Sequence, residues 1–408
     1  MPSAGERARS DQAKGDRKRV LIVCELDGFA NGQKPVEIER FLHSRGHEVR
    51  MANGYYLARA SDDSGSVVRK LPHPSPKRFA LYLVQLASLL FTRRWRFGRR
   101  HLSYHLVRAE LRLRRSILSS SLPLDEFDMI IGEHPNDSEL MLAPTSAQVL
   151  YDCMTPWADE LYFEERLTEK QRRKLRRHEA KILDGVDHLS FSWETYAPYA
   201  VTHYGISGTN LTQLNWGCTP VAERVRFSNP PRVVLLSSLS SRFINLPLLS
   251  RLSRIYPIDV YGGPPPDPSL GLNYRGWAPP EVLDEYQIGL ITCSKDELRR
   301  EGFSAKNTAY VAHGLPVLVP AWRRHMELLR GSVPYDEDTF ASAIERLSDE
   351  REWRRVSDEA YAQAQELTWE RTLQPLEGAL YDPSYRYLTP YMQATIGGGS
   401  HSPTSITG

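Results

Sequence analysis

Short apolar runs alternate with helical stretches twice along this 408-residue chain, and a proline-rich break separates the two series. Residues 19–25 (RVLIVCE) are an apolar run leading into a turn with Gly28 and Gly32. A helical stretch over 36–44, then Gly46, then a second run, 47–52 (HEVRMA), follow. Strand, glycine loop, helix, glycine, strand is the βαβ pattern of a parallel sheet, whose ligand edge lies at the strand C-termini. Residues 127–132 (FDMIIG), 147–151 (AQVLY) and 187–192 read as later strands of that sheet, with a charged helix over 163–183. The pattern pauses around Asn215, and residues 217–231, which hold three prolines, read as a connector. It then restarts with strands at 232–236 (RVVLL), 258–261 (IDVY), 272–275, 288–292 (IGLIT) and 316–319 (PVLV). Helices are expected at 246–255, 280–286 and 307–313, and a long one at 339–366 continues into 368–381.

Two such halves predict an α/β protein of two Rossmann-like domains facing each other across a cleft. The expected boundaries are a disordered tail over 1–17, a first domain over 18–215 and a linker over 216–231. A second domain over 232–370, a closing helix over 371–391 and a flexible tail over 392–408 complete the chain.

Composition narrows the function classes. Hydrophobic residues at 41% and charged residues at 25% are those of a soluble globular protein. The polar, charged start is not a secretory signal, and no run of about 18 apolar residues is present. Cys24, Cys153, Cys218 and Cys293 are too scattered for a disulfide framework or a zinc site. A cytoplasmic protein with reduced, buried thiols is expected. A formal net charge of +2 says little about partners.

Phosphate-binding groups were sought at the strand ends of the second half. Arg242 follows the loop 237–241 (SSLSS), and Lys306 stands in Ser304-Ala305-Lys306-Asn307 at the start of a helix. A cation beside the free N–H groups of a helix N-terminus suits a diphosphate. Ordinary solvated charges are the alternative.

The second half resembles the donor-binding domain of GT-B glycosyltransferases, in particular the retaining GT4-type enzymes of polysaccharide and glycolipid synthesis. The matching stretches, in order, are 233–242 (VVLLSSLSSR), 256–263 (YPIDVYGG), 273–277 (NYRGW), 283–291 (LDEYQIGLI) and 304–320 (SAKNTAYVAHGLPVLVP). The resemblance spans residues 232–381. It implies transfer of a sugar from a nucleotide-diphosphate donor, with Arg242, Lys306 and Ser304 at the diphosphate. It also implies that Gly262, Gly263, Trp277 and Asn307 line the nucleotide pocket. The nucleotide sugar is then a substrate, no cofactor is expected, and no Asp-x-Asp is placed to hold a metal. The chain departs from the family at Ala309, where members usually carry a Glu that holds the donor ribose. Glu297 and Glu301 are candidates for the first acidic residue of that pair. The departure keeps a non-catalytic partner subunit in view, and a nucleotide-sugar epimerase on the same fold is a further alternative.

The first half resembles the family more loosely. Glu133-His134-Pro135-Asn136 follows a strand where similar enzymes place a His near the transferred sugar, which makes His134 the catalytic candidate and Glu133 its alternative. A turn built by Pro135 and Asn136 is the competing reading. Asp152 and Trp157, in 151–157 (YDCMTPW), and the loop with Gly28 and Gly32 are assigned to the acceptor side, while Trp157 can equally cap the first core. The acceptor expected is a glycan, a lipid-linked glycan or a small molecule.

Residues 77–115 contain eleven Lys or Arg against Glu110 as the single acid. Residues 79–91 (FALYLVQLASLLF) are apolar but too short to span a bilayer, and arginines interleaved with Trp95, Phe97 and Tyr104 follow. Such a segment could rest on an anionic membrane surface at the inner face. It could also be a core helix with a solvated arginine face. An acidic polymer such as nucleic acid is the least favoured partner.

Overall fold

The computed structural model describes residues 17–24, 33–52, 56–59, 67–70, 76–94, 99–239 and 243–396. The chain forms two compact units: unit 1 comprises Met1–Asn215 with Leu373–Gly408, and unit 2 comprises Trp216–Thr372.

Unit 1 contains β1 (Arg19–Val23), α1 (Gln33–Ser44), β2 (Glu48–Ala52), β3 (Tyr56–Arg59), β4 (Val67–Lys70), α2 (Pro76–Arg94) and α3 (Arg99–Ser121). It continues with β5 (Met129–Gly132), a 3-10 segment (Pro135–Leu142), β6 (Gln148–Cys153), α4 (Trp157–Phe163), α5 (Glu169–Gly185), β7 (His188–Phe191) and α6 (Tyr196–Tyr204). The sheet order is β4-β3-β2-β1-β5-β6-β7. Strands β2, β1, β5, β6 and β7 are parallel, and β3 and β4 extend the sheet antiparallel. The central strands are buried on both faces, which is why they read as unbroken apolar runs. Order reverses between β1 and β5. A ligand crevice is expected at such a switch point, beyond the strand C-termini.

Unit 2 contains β8 (Val233–Leu236), α7 (Leu246–Ile255), β9 (Ile258–Tyr261), β10 (Asn273–Gly276), β11 (Ile288–Leu290), α8 (Glu297–Glu301), α9 (Ala305–Ala312), β12 (Val317–Pro320) and β13 (Ser332–Tyr335). Then come α10 (Phe340–Leu347), α11 (Glu350–Glu366) and α12 (Trp369–Tyr381), along which the chain passes back to unit 1, and α13 (Pro390–Ile396). The sheet order is β10-β9-β8-β11-β12-β13, all parallel, with the switch between β8 and β11. Side chains alternate across β8: Val233 and Leu235 enter a core with Leu249 and Phe340, and Val234 enters another with Tyr310 and Trp353. The segments entering and leaving unit 2 pair, Cys218 N–H donating to Leu367 O at 2.7 Å.

Several elements differ from the sequence reading. The helix expected over 163–183 begins only at Glu169: α4 ends at Phe163, Glu165 adopts a left-handed backbone (φ 59°), and Thr168 with Gln171 forms the capping box that starts α5. The helix over 339–366 restarts at Asp349, whose side chain accepts from Glu352 N–H. Residues Pro280–Glu285 form a short 3-10 segment in place of the expected helix. The β3–β4 hairpin and β13 were not anticipated. β13 carries Pro334, which an edge strand tolerates.

All four cysteines are buried. Among the described residues no helix is long and apolar enough to cross a membrane.

Candidate functional site

In unit 2 the candidate side chains lie near the C-terminal ends of the central strands β8, β9 and β11. Tyr310 anchors that edge. Its hydroxyl accepts from Leu236 N–H at 2.9 Å and donates to Leu290 O at 3.3 Å, so α9 is tied to the ends of both β8 and β11. Gly289 makes the fit, since a Cβ there would lie 2.4 Å from the Tyr310 ring. Ser304 caps α9, its Oγ accepting from Lys306 N–H at 3.3 Å and its carbonyl from Asn307 N–H at 2.8 Å. Asn307 is buried, and among the described residues neither atom of its amide has a hydrogen-bond partner. A buried, unsatisfied amide is costly unless something occupies the place it faces.

Lys306 stands beside it, half-buried. Burial first, and repulsion from Arg299 second, push its ammonium below the ordinary lysine value. Among the described residues no carboxylate pairs with it. Burial, the largest cause, raises the Cys293 thiol, Asp296 adds to this, and Arg323, Arg299 and Lys306 oppose it, so three cations and one carboxylate lie within electrostatic reach of the end of β11. Arg299 comes from α8 and Arg323 from the turn after β12. Neither was singled out from sequence, because only the fold brings them to Lys306.

Next along the edge, Gly262 (φ 109°) and Gly263 (φ 69°) let the turn after β9 press on the Ser237–Ser238 backbone. Gly262 N–H donates to Gly276 O at 2.8 Å, which places Trp277, 65% exposed, beside that turn. Arg242 lies outside the described residues. Of the two acidic candidates, Glu297 is exposed. Glu301 is buried and accepts from Arg324 Nη1 and His325 Nε2, both at 2.7 Å. Burial alone would raise the Glu301 carboxyl, but His325 and Arg324 together hold it below the usual range. Ala309 packs half-buried against the unit 2 core.

In unit 1 the switch point holds a buried ionic group. Glu133 follows β5 directly, its N–H donating to Val23 O at 3.1 Å on the neighbouring strand. Its carboxyl is fully buried, and neither oxygen has a hydrogen-bond partner among the described residues. Burial first, then repulsion by Asp152, push the carboxyl well above its ordinary value, and Lys34 opposes this only in part. Burial and Asp152 thus favour the protonated form of Glu133 over the carboxylate. Asp152, at the end of β6, pairs with Lys34 Nζ at 2.6 Å, and both side chains are fully buried. Lys34 Nζ also donates to Leu214 O at 2.6 Å. Lys34 was not read from sequence, although a cation in the first turn of a helix opposes the helix dipole and so signals a specific partner.

His134 is half-buried and caps the 3-10 segment through Nδ1, which accepts from Asn136 N–H at 3.2 Å. Burial, then repulsion by Arg114, lower its imidazole to about 4, so the ring is neutral. Trp157 opens α4 and packs against a helical cluster with Val107, Leu111 and Leu175. Its N–H and that of Ala158 donate to Glu179, 2.9 Å each, from α5. Gly28 and Gly32 lie outside the described residues. Among the described residues no group of three or more His, Cys, Asp or Glu could hold a metal ion.

Comparison with solved structures decides the fold. A glycosyltransferase from Rickettsia africae superposes with a TM-score of 0.57 over 90% of this chain and 99% of that one, at 11% identity. The UDP-forming α,α-trehalose-phosphate synthase from Burkholderia xenovorans gives 0.61 over 90% and 100%, at 12% identity. Its counterpart from Burkholderia vietnamiensis gives 0.59 over 90% and 100%, at 13% identity. The chain has the GT-B fold. No protein-family model matches the sequence, and no curated protein does. At these identities the GT-B likeness is one of architecture, and the residues at the strand ends must carry any functional argument.

Proposed function

We propose that this GT-B chain is a glycosyltransferase that moves a sugar from a nucleoside-diphosphate donor to a hydroxyl-bearing acceptor, in the cytoplasm and with retention at the anomeric carbon. The acceptor is a glycan, a lipid-linked glycan or a small molecule. The observation that carries the reading is that Lys306, Arg299 and Arg323 all act on Cys293 at the end of β11, while Asn307, next to Lys306 in the first turn of α9, has an unsatisfied amide among the described residues. When the bond from the anomeric carbon to the diphosphate breaks, its electron pair leaves with the diphosphate oxygen. Fixed cations and helix N–H groups stabilise that charge, and each such donor contributes about 2.7–4 kcal/mol to the barrier in comparable sites. Arg242 and Ser304 are assigned to the same anion. Gly262 and Gly263 admit the nucleotide backbone closely, and the exposed Trp277 ring offers a stacking surface for the base. The charge is met by side chains, so the reading invokes no metal or other cofactor.

In unit 1, protonated Glu133 serves as a hydrogen-bond donor to a sugar or acceptor oxygen, and neutral His134 accepts from a neighbouring hydroxyl. The Lys34–Asp152 pair fixes the floor beneath Glu133, and Asp152 and Trp157 are assigned to the acceptor side. A second reading, a non-catalytic partner with the same fold, is favoured by Ala309, which removes the carboxylate expected at the ribose.

A thermal-shift panel of UDP-, GDP- and dTDP-sugars, followed by NMR of any product, tests both. Stabilisation by one nucleotide together with a glycoside of unchanged anomeric configuration supports transfer. Silence across the panel sinks the donor site, and binding without product supports the non-catalytic partner.

A further inference from the structure

In unit 1 helix α3 is joined to α2 on one flank and, through the 3-10 segment Pro135–Leu142, to α5 on the other. On one flank Gln85 of α2 donates to Glu110 of α3 at 2.9 Å. On the other, Arg108 of α3 and His178 of α5 share Glu139, at 2.6 and 3.0 Å. A pocket of about 420 Å³ opens between α3 and α5, lined by Arg108, Arg112, Arg115, Ser116, Ser119 and His178 among others. Glu139 is already met by Arg108 and His178, which leaves Arg112 and Arg115 as surplus positive charge.

The outward faces of the flanking helices are unusual in opposite ways. Helix α2 buries Leu81 and turns Phe79 (65% exposed), Tyr82 (58%), Leu83 (46%) and Leu86 (38%) to solvent. That i, i+3, i+4, i+7 spacing is a complete apolar stripe on the wrong side of a globular helix. Helix α5 buries Leu175, Ile182 and Leu183 and exposes Lys170, Arg173, Lys174, Arg177 and Lys181 on its opposite face. Lys170, Lys174, Arg177 and Lys181 pair with no carboxylate among the described residues. Like charges at these spacings weaken a helix, so a stripe without acidic partners needs another explanation. Arg93 and Arg94 end α2, and Arg99 and Arg100 begin α3.

We propose that the exposed sides of α2 and α5 belong to one surface that docks on an anionic bilayer: the α2 side chains enter the interface, the α5 cations lie against the headgroups, and the pocket takes a headgroup phosphate. An apolar stripe and a stripe of unpaired cations on the same unit are together complementary to such a surface. A second copy of the chain is a poorer occupant. The four exposed side chains offer roughly 400 Å² or so, against about 800 Å² per partner in a stable dimer, and twofold pairing would bring like charges together. The proposal does not depend on glycosyl transfer, and its test needs no donor.

The test is co-sedimentation of the full chain with neutral phosphatidylcholine vesicles and with vesicles containing a quarter phosphatidylglycerol. Binding is expected to the anionic vesicles at about 50 mM salt and to weaken at least tenfold at about 500 mM salt. Replacing Lys170, Lys174, Arg177 and Lys181 together by Gln should weaken it by roughly a hundredfold or more, at about fivefold per cation. Phe79→Ser with Leu83→Ser should weaken it about tenfold. All six positions are exposed, so the variants should melt like the parent chain. No binding to anionic vesicles at low salt overturns the proposal, and so does parent-like binding by the Gln variant. Full displacement by millimolar inorganic phosphate would reassign the pocket to a soluble anion. A dimer lost in the Ser variant would reassign the stripe to a second copy.

Discussion

Glu133→Gln should remove one proton's worth of pH dependence from the stability of unit 1. In the unfolded chain this carboxyl ionises near the ordinary value of 4.5, whereas in the fold burial and Asp152 keep it protonated far above that. Between those two points the native state holds one proton more than the unfolded state. Stability therefore falls as pH rises, by about 1.4 kcal/mol per pH unit, until the folded carboxyl titrates. Glutamine has the shape of the neutral acid and no proton to lose. The variant should match the parent to within about 1 kcal/mol near pH 5, an ordinary size for a conservative buried change, and overtake it steadily above. Urea unfolding of unit 1, followed through the fluorescence of Trp157 and Trp193, at pH 5, 6 and 7 would read the difference. Stability curves that run parallel across this range would show that Glu133 ionises as an ordinary carboxylate, and the protonated-donor role would go with it.

Two further outcomes follow from the same switch point. Lys34→Met strands Asp152 as an uncompensated buried charge and should cost about 3–5 kcal/mol in chemical denaturation, while Lys34→Met with Asp152→Leu should recover most of it. His134, lowered to about 4, contributes stability that is complete above the unfolded histidine value near 6.5 and is lost as pH falls towards 4. An NMR titration of its ring should therefore show a midpoint near 4, and a midpoint near 6.5 would mean that the ring is solvated and unhindered.

The sheets were legible because every central strand is apolar on both faces and bounded by glycine or a polar turn, as in RVLIV and RVVLL. Helix breaks were not, since Glu165 and Asp349 act through backbone geometry and capping rather than composition. Lys306 could be nominated from its place at the start of a helix, whereas Glu133, Ser304 and Asn307 were reached through the family resemblance. Lys34 and Asp152 are 118 residues apart and meet only when α1 packs on the sheet. Arg299 and Arg323 likewise reach Lys306 from two different loops. Trp157, nominated for the acceptor side, packs with Val107 and Leu175, partners that no local pattern discloses.

Calorimetric titration of a nucleoside diphosphate and the matching monophosphate into the parent chain and Lys306→Ala bears most directly on the anion site of unit 2. The diphosphate should bind the parent at least about tenfold more tightly, and Lys306→Ala should erase that preference, as expected for the loss of a charge-assisted bond of roughly 1.5–3 kcal/mol. Equal affinity for the two nucleotides, or a preference that survives in Lys306→Ala, would contradict the assignment of this pocket to a diphosphate.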